Sequence, residues 1–175
     1  YILYISNMKK IIITGKRNIE SIKNVKDKKR KSTTNWENKS YLLEKNKQQN
    51  IINQLYLGEK FEGYDNVKRE IEKKLNGYKN QDIKKEKYEK KLFISYENLI
   101  EKIVISKLVC YYCRKNCKLM YDNVREEMQW TLDRIDNSIG HNTENVVICC
   151  LKCNLKRRTT NDEHFKFSKQ MKIIK

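Results

Sequence analysis

The sequence predicts an α+β chain, with a basic, mostly helical N-terminal part followed by a small C-terminal domain held together through its cysteines. Three observations predict it. All six cysteines fall between Cys110 and Cys153. Between and after the cysteine pairs, apolar alternation predicts two short strands and then a helix. Upstream, apolar residues recur at helical spacing through an otherwise charged stretch. The expected divisions are a basic, weakly ordered arm with a strand over 1–34, a helical basic region over 35–94, and the cysteine-bearing domain over 95–175.

Within the arm, Tyr1 to Thr14 alternates as a strand does, and the lysine-rich run Ser21 to Thr34 reads as a solvated tail or a polyanion-binding arm. Tyr1 in place of Met marks the chain as a candidate fragment, with Met8 a candidate start. In the second region Leu42, Leu43, Ile51, Ile52 and Leu55 predict one helix. Val67, Ile71, Leu75 and Tyr78 predict the next, with Asp65 as N-cap and Gly77 as stop. Gln81 to Lys91 reads as a charged connector. Ser95 caps a short helix carrying Leu99, Ile100, Ile103 and Val104. Gln129 to Ile135 and Val146 to Ile148 are the two strands, with a loop over Asn137 to Asn142 between them. A helix opens at Asn154, and a last one, capped by Thr160 or Asn161, runs through Phe165, Phe167 and Met171.

Charged residues make up 35% of the chain and mean hydropathy is −0.88. The apolar supply is thin, so a small core stapled by metal is easier to stabilise than one large core. No apolar run approaches the roughly 20 residues of a membrane span, and the short Ile11–Ile13 stretch after Lys9-Lys10 is too brief for a signal peptide. The expected address is intracellular (nucleus, cytoplasm or virion) rather than secreted.

The spacing of the cysteines carries the chemistry. Cys110-Tyr-Tyr-Cys113 and Cys150-Leu-Lys-Cys153 are two Cys-x-x-Cys knuckles separated by 36 residues. Two such knuckles supply four thiolates to one tetrahedral zinc. A disulfide protein would spread its cysteines along the chain to staple all of it. Cys117 and Cys149 remain as spare thiols, with Cys117 an alternative ligand.

The formal net charge is +17, about +15 once a zinc ion and four thiolates are counted. Such a balance favours a polyanion, most simply nucleic acid. An AT-rich coding bias also produces lysine, so arginine is the better witness. Five of the eight arginines (Arg114, Arg125, Arg134, Arg157 and Arg158) lie inside the cysteine module, where a planar fork suits phosphate.

The order of knuckle, strand, loop, strand, knuckle and helix is carried by a specific string. It runs Cys110-x-x-Cys113, Leu132-Asp133-Arg134-Ile135-Asp136-Asn137, Gly140-His141, Glu144-Asn145-Val146-Val147 and Cys150-x-x-Cys153-Asn154. This resembles the HNH endonuclease family, the ββα-metal type with a structural zinc, over residues 107–158. The resemblance implies a metal-dependent DNA endonuclease or nickase. It implies Asp133 and Asn154 as ligands of one divalent ion, and Asn145 as the residue tying the loop. Oxygen ligands suit Mg²⁺ or Mn²⁺. The expected partner is double-stranded DNA, with Lys156, Arg157 and Arg158 contacting phosphate.

One position departs from the family. Arg134 stands where the histidine base is expected, and a guanidinium does not accept a proton at neutral pH. Three outcomes follow. Arg134 clamps phosphate while another group is the base; His141 is that base, its ordinary pKa near 6.5 suiting the task; or the module binds without cleaving. His164 reads as structural or exposed, and Asp136 as a turn residue or an extra acidic ligand. The competing readings are a non-catalytic zinc nucleic-acid-binding module and a structural basic protein of a virion or chromatin.

Overall fold

The computed structural model describes residues 2–5, 9–12, 14–17, 19 and 42–171. The chain divides into two compact units, Tyr1–Arg30 and Lys31–Lys175. In the first, the Tyr1–Thr14 alternation resolves into two strands, β1 (Ile2–Ile5) and β2 (Lys9–Ile12). They pair antiparallel with Ile2 opposite Ile12 and Ile5 opposite Lys9. The lysine run Ser21 to Thr34 lies outside the described residues.

The second unit is mixed α and β. Helix α1 (Lys45–Leu57) ends where Gly58 adopts φ 71°, the left-handed conformation that glycine takes without a Cβ penalty. Helix α2 (Tyr64–Lys84) buries Val67, Ile71 and Leu75. Its N-cap is Gly63 rather than Asp65, which sits in the first turn and favours the positive end of the helix dipole from there. Nor does Gly77 stop it. The helix runs two turns further, because Tyr78 and Asp82 make tertiary bonds that outweigh glycine's cost of about 1 kcal/mol. Part of the expected connector is therefore helix.

Helix α3 (Tyr96–Ser106) is capped by Ser95, whose Oγ accepts from Asn98 N at 3.1 Å. It packs against α1 and buries Leu99, Ile100 and Ile103. Strand β3 (Trp130–Arg134) pairs antiparallel with β4 (Val146–Cys150), placing Trp130 opposite Cys150 and Arg134 opposite Val146. Helix α4 (Leu151–Arg157) follows β4 directly, opening three residues ahead of the expected Asn154, so Cys153 lies on it as well. Helix α5 (Asp162–Gln170) is capped by Asn161, whose Oδ1 accepts from His164 N at 3.1 Å. His164 thus falls in the first turn and is exposed.

Leu42, Ile52, Val67, Ile71, Ile94, Leu99, Ile103, Tyr112, Leu119, Trp130 and Leu132 form one continuous buried core beneath the hairpin and the helices. The core is joined to the cysteine module by Gln48, a buried side chain the sequence reading passed over. Its Oε1 accepts from Leu119 N at 2.6 Å and its Nε2 donates to Leu43 O at 3.0 Å.

Candidate metal centre and the hairpin it frames

Cys110 and Cys113 sit in the turn after α3, Cys150 ends β4, and Cys153 is on the first turn of α4. Their four Sγ atoms lie within 4.8 Å of one another. Cys113 and Cys150 are 3.9 Å apart, close to the edge of about 3.8 Å expected for a tetrahedron with Zn–S bonds near 2.3 Å. The knuckle backbone is folded to bring them in: Cys110 N donates to Lys115 O at 2.9 Å, and Arg114, at φ 58°, donates its N–H to Cys110 O at 3.0 Å. The cluster can hold a metal ion such as zinc. Cys117 and Cys149 stand outside the four. Cys149 projects to the other face of β4 from Cys150, contacts Thr131 Oγ1 at 3.2 Å, and has its thiol pushed well up by burial.

The expected site residues fall into two groups. Asp133 is buried, and both of its bonds land on Oδ2, from Tyr112 Oη at 2.7 Å and Arg157 Nε at 2.7 Å. Arg157 is 1% exposed. Its remaining nitrogens donate to Thr160 O at 2.7 Å, to Ile135 O at 3.3 Å and to Arg134 O. Arg157 was expected at the surface against phosphate and is found inside, spending its fork on a carboxylate and three carbonyls. Asn154 is half-buried and donates Nδ2 to Leu132 O at 3.0 Å and Thr131 Oγ1 at 3.2 Å. Lys156 and Arg158 are exposed; Arg158 O accepts from Asn137 Nδ2 at 3.1 Å.

The second group lies on the α2 side. Successive strand residues face opposite ways, so Arg134 points away from the Asp133 carboxylate. Its Nη1 donates to Ile139 O at 3.2 Å and lies 3.9 Å from Asp82 Oδ1. His141 is 3% exposed. Its ring Nδ1 is 2.8 Å from Asp82 Oδ1, its backbone N–H donates to Asp82 Oδ2 at 2.6 Å, and its ring stacks on Tyr78 at 4.7 Å. Burial lowers its pKa below the ordinary value, opposed by the Asp82 carboxylate.

The loop between the strands is tied from within. Asn145 Oδ1 accepts from Asp136 N, and its Nδ2 donates to Asp136 O and Gly140 O, all at 2.9 Å. Asp136 is exposed and accepts from Ser138 N at 2.7 Å, the geometry of a turn residue.

Sequence reading missed the polar stripe Lys74, Tyr78 and Asp82. Spaced by four, these residues share one face of α2. Together they serve the open side of β3 and the loop: Lys74 Nζ donates to Trp130 O, Tyr78 Oη accepts from Leu132 N at 3.0 Å, and Asp82 takes His141. The signal was the spacing, obscured because Lys74 and Asp82 interrupt an apolar pattern.

No protein-family model matches the sequence, and no curated protein or solved structure was found to match it.

Proposed function

We propose that this chain is a nucleic-acid-binding module on an HNH-type ββα frame, with zinc bound by Cys110, Cys113, Cys150 and Cys153. The observation that carries binding over cleavage is the state of Asp133. An acidic ligand brings negative charge to a divalent ion, whereas Asp133 Oδ2 is held by Tyr112 and the buried Arg157, so only Oδ1 remains open and the carboxylate charge is already paired with a guanidinium. The Arg134 cation cannot take a proton from water. Binding then rests on the +17 chain and on exposed Lys156 and Arg158 beside the hairpin. Contacts of that kind neutralise phosphates and release counterions, so log affinity falls linearly with log salt.

Endonuclease activity is the second reading, favoured by one observation. Asp82 holds His141 Nδ1, which leaves Nε2 as the nitrogen able to accept a proton. The ion-binding atoms would be Asp133 Oδ1 and the Asn154 amide oxygen. A bound Mg²⁺ or Mn²⁺ would supply charge stabilisation at a phosphate.

Zinc-loaded protein incubated with supercoiled plasmid and Mg²⁺ or Mn²⁺ separates the two. The binding reading expects salt-sensitive retention of the plasmid and no strand breaks. Metal-dependent nicking that disappears in Asp133→Ala would refute it and establish the nuclease. Loss of nicking in His141→Ala as well would identify the base.

A further inference from the structure

Helix α5 turns two phenylalanines in opposite directions. At about 100° per residue, positions two apart lie on nearly opposite faces. Phe165 is 8% exposed and packs edge-on against Tyr112 at 5.1 Å. Phe167 is 69% exposed. Glu163, Lys166, Phe167, Gln170 and Met171 form one helical stripe, and with Tyr111 of the first knuckle they line an open cavity of about 420 Å³. The cavity is held in shape. Gln170 Nε2 donates to Tyr111 O at 3.1 Å and Tyr112 O at 2.9 Å, fastening the end of α5 to the knuckle. Lys166 Nζ sits 4.1 Å from the centre of the Tyr111 ring, and Lys169 Nζ is 5.2 Å from that of Phe165. Neither lysine is ion-paired among the described residues, and Glu163 is the one acid lining the cavity.

An exposed aromatic ring beside a second ring, with the Lys166 ammonium next to them, meets what an unstacked nucleotide requires. The base lies on the exposed Phe167 ring face and the backbone phosphate meets the Lys166 ammonium. A duplex keeps its bases stacked and offers no such face. The net charge of the chain opposes a basic protein partner on the same surface. We propose that the Tyr111–Phe167 cavity is a stacking site for an unpaired base of single-stranded nucleic acid. The proposal rests on the nucleic-acid reading above and adds a single-strand site to it.

The test uses the full zinc-loaded chain, fluorescent oligothymidylate and a duplex of equal length, each titrated at two salt concentrations. Phe167→Ala should weaken oligothymidylate binding about 10-fold, within the usual range for loss of one stacked base. It should leave duplex binding unchanged, and Phe167→Trp should retain single-strand affinity. Because Phe167 is exposed, Phe167→Ala should keep its zinc content and circular dichroism, so a loss cannot be assigned to unfolding. Equal losses on both ligands, or no loss on the single strand, would overturn the proposal while leaving the nucleic-acid reading intact. Concentration-dependent self-association abolished by Phe167→Ala, with single-strand binding unchanged, would overturn it in favour of a second copy of the chain. Failure of wild-type protein to bind either ligand would defeat the nucleic-acid reading, and this proposal with it.

Discussion

Replacing Arg157 by methionine should cost this protein about 4 kcal/mol of stability. The guanidinium is 1% exposed and makes four bonds, one to the Asp133 carboxylate at 2.7 Å and the others to the carbonyls of Thr160, Ile135 and Arg134. Methionine fills much of the stem volume but removes the charge and every donor. Asp133, with 8% of its side chain exposed, is then a buried carboxylate supported by Tyr112 alone. Removing one partner of a buried ion pair costs roughly 3–5 kcal/mol, against a total stability of about 5–15 kcal/mol for an ordinary domain. Urea unfolding of zinc-loaded protein at fixed free zinc measures the loss. The double variant Asp133→Leu/Arg157→Met removes both charges, so it should recover at least about 2 kcal/mol of the summed single losses. A change below about 1 kcal/mol in Arg157→Met, together with additive behaviour in the double variant, would refute the argument. It would mean that Arg157 does not hold Asp133 in solution, and both residues would return to candidacy as phosphate and metal ligands.

Three further outcomes follow from the same geometry. Each chain should hold one zinc by elemental analysis, and stripping it with a strong chelator, or substituting Cys150→Ser, should red-shift the fluorescence of buried Trp130, since metal binding in small sites is itself folding energy. Gly140→Ala should destabilise by about 2 kcal/mol or more in the same urea assay. Its Cβ would lie 2.4 Å from Lys87 O and 2.9 Å from Asp82 Oδ2, and a backbone carbonyl cannot swing aside. Lys74, half-buried over the Trp130 and Tyr121 rings, has its pKa lowered by burial from 10.5 to about 7, with nearby thiol groups opposing the shift. Across that window the unfolded chain keeps a proton that the folded chain has released, so stability should rise with pH by up to about 1 kcal/mol per unit between 7 and 10. The rise should be flatter in Lys74→Met, and an unchanged slope would contradict the assignment.

What could be read in the sequence depended on whether a residue's structural partner was near it in the chain. The knuckles were legible because Cys-x-x-Cys is a local spacing with a geometric consequence, and their convergence within 4.8 Å needs only the hairpin between them. The Ser95 and Asn161 caps were legible for the same reason, each acting three residues ahead. Asp82 was not, because its partner His141 lies 59 positions away. In sequence it reads as part of a charged connector, and Gly77 reads as the end of the helix because nothing nearby in the chain gives a reason to continue. Arg157 reads as a surface phosphate contact with Lys156 and Arg158 because three adjacent cations look alike in sequence. The helix separates them: Arg157 turns to the Asp133 face while its neighbours turn to solvent.

The α2 stripe also bears on what the hairpin can do. Among the described residues β4 is the one strand paired with β3, Lys118 O accepts from Trp130 N at 3.0 Å, and an open strand edge invites pairing with other chains unless it is covered. Lys74 and Tyr78 occupy backbone groups on that side, and Asp82 fixes the loop that follows. The segment 107–158 would therefore be incomplete by itself, since its outer edge is satisfied from residues 74–82. The same arrangement parts the candidate chemistry. Asp133 faces Arg157 and Tyr112, whereas the next residue, Arg134, faces Asp82 and the loop carrying His141. Asp82 holds His141 by both backbone and ring, while the Asp133 charge still reaches the imidazole. In this state each residue is committed to its own set of bonds, Asp133 to Arg157 and Tyr112 and His141 to Asp82.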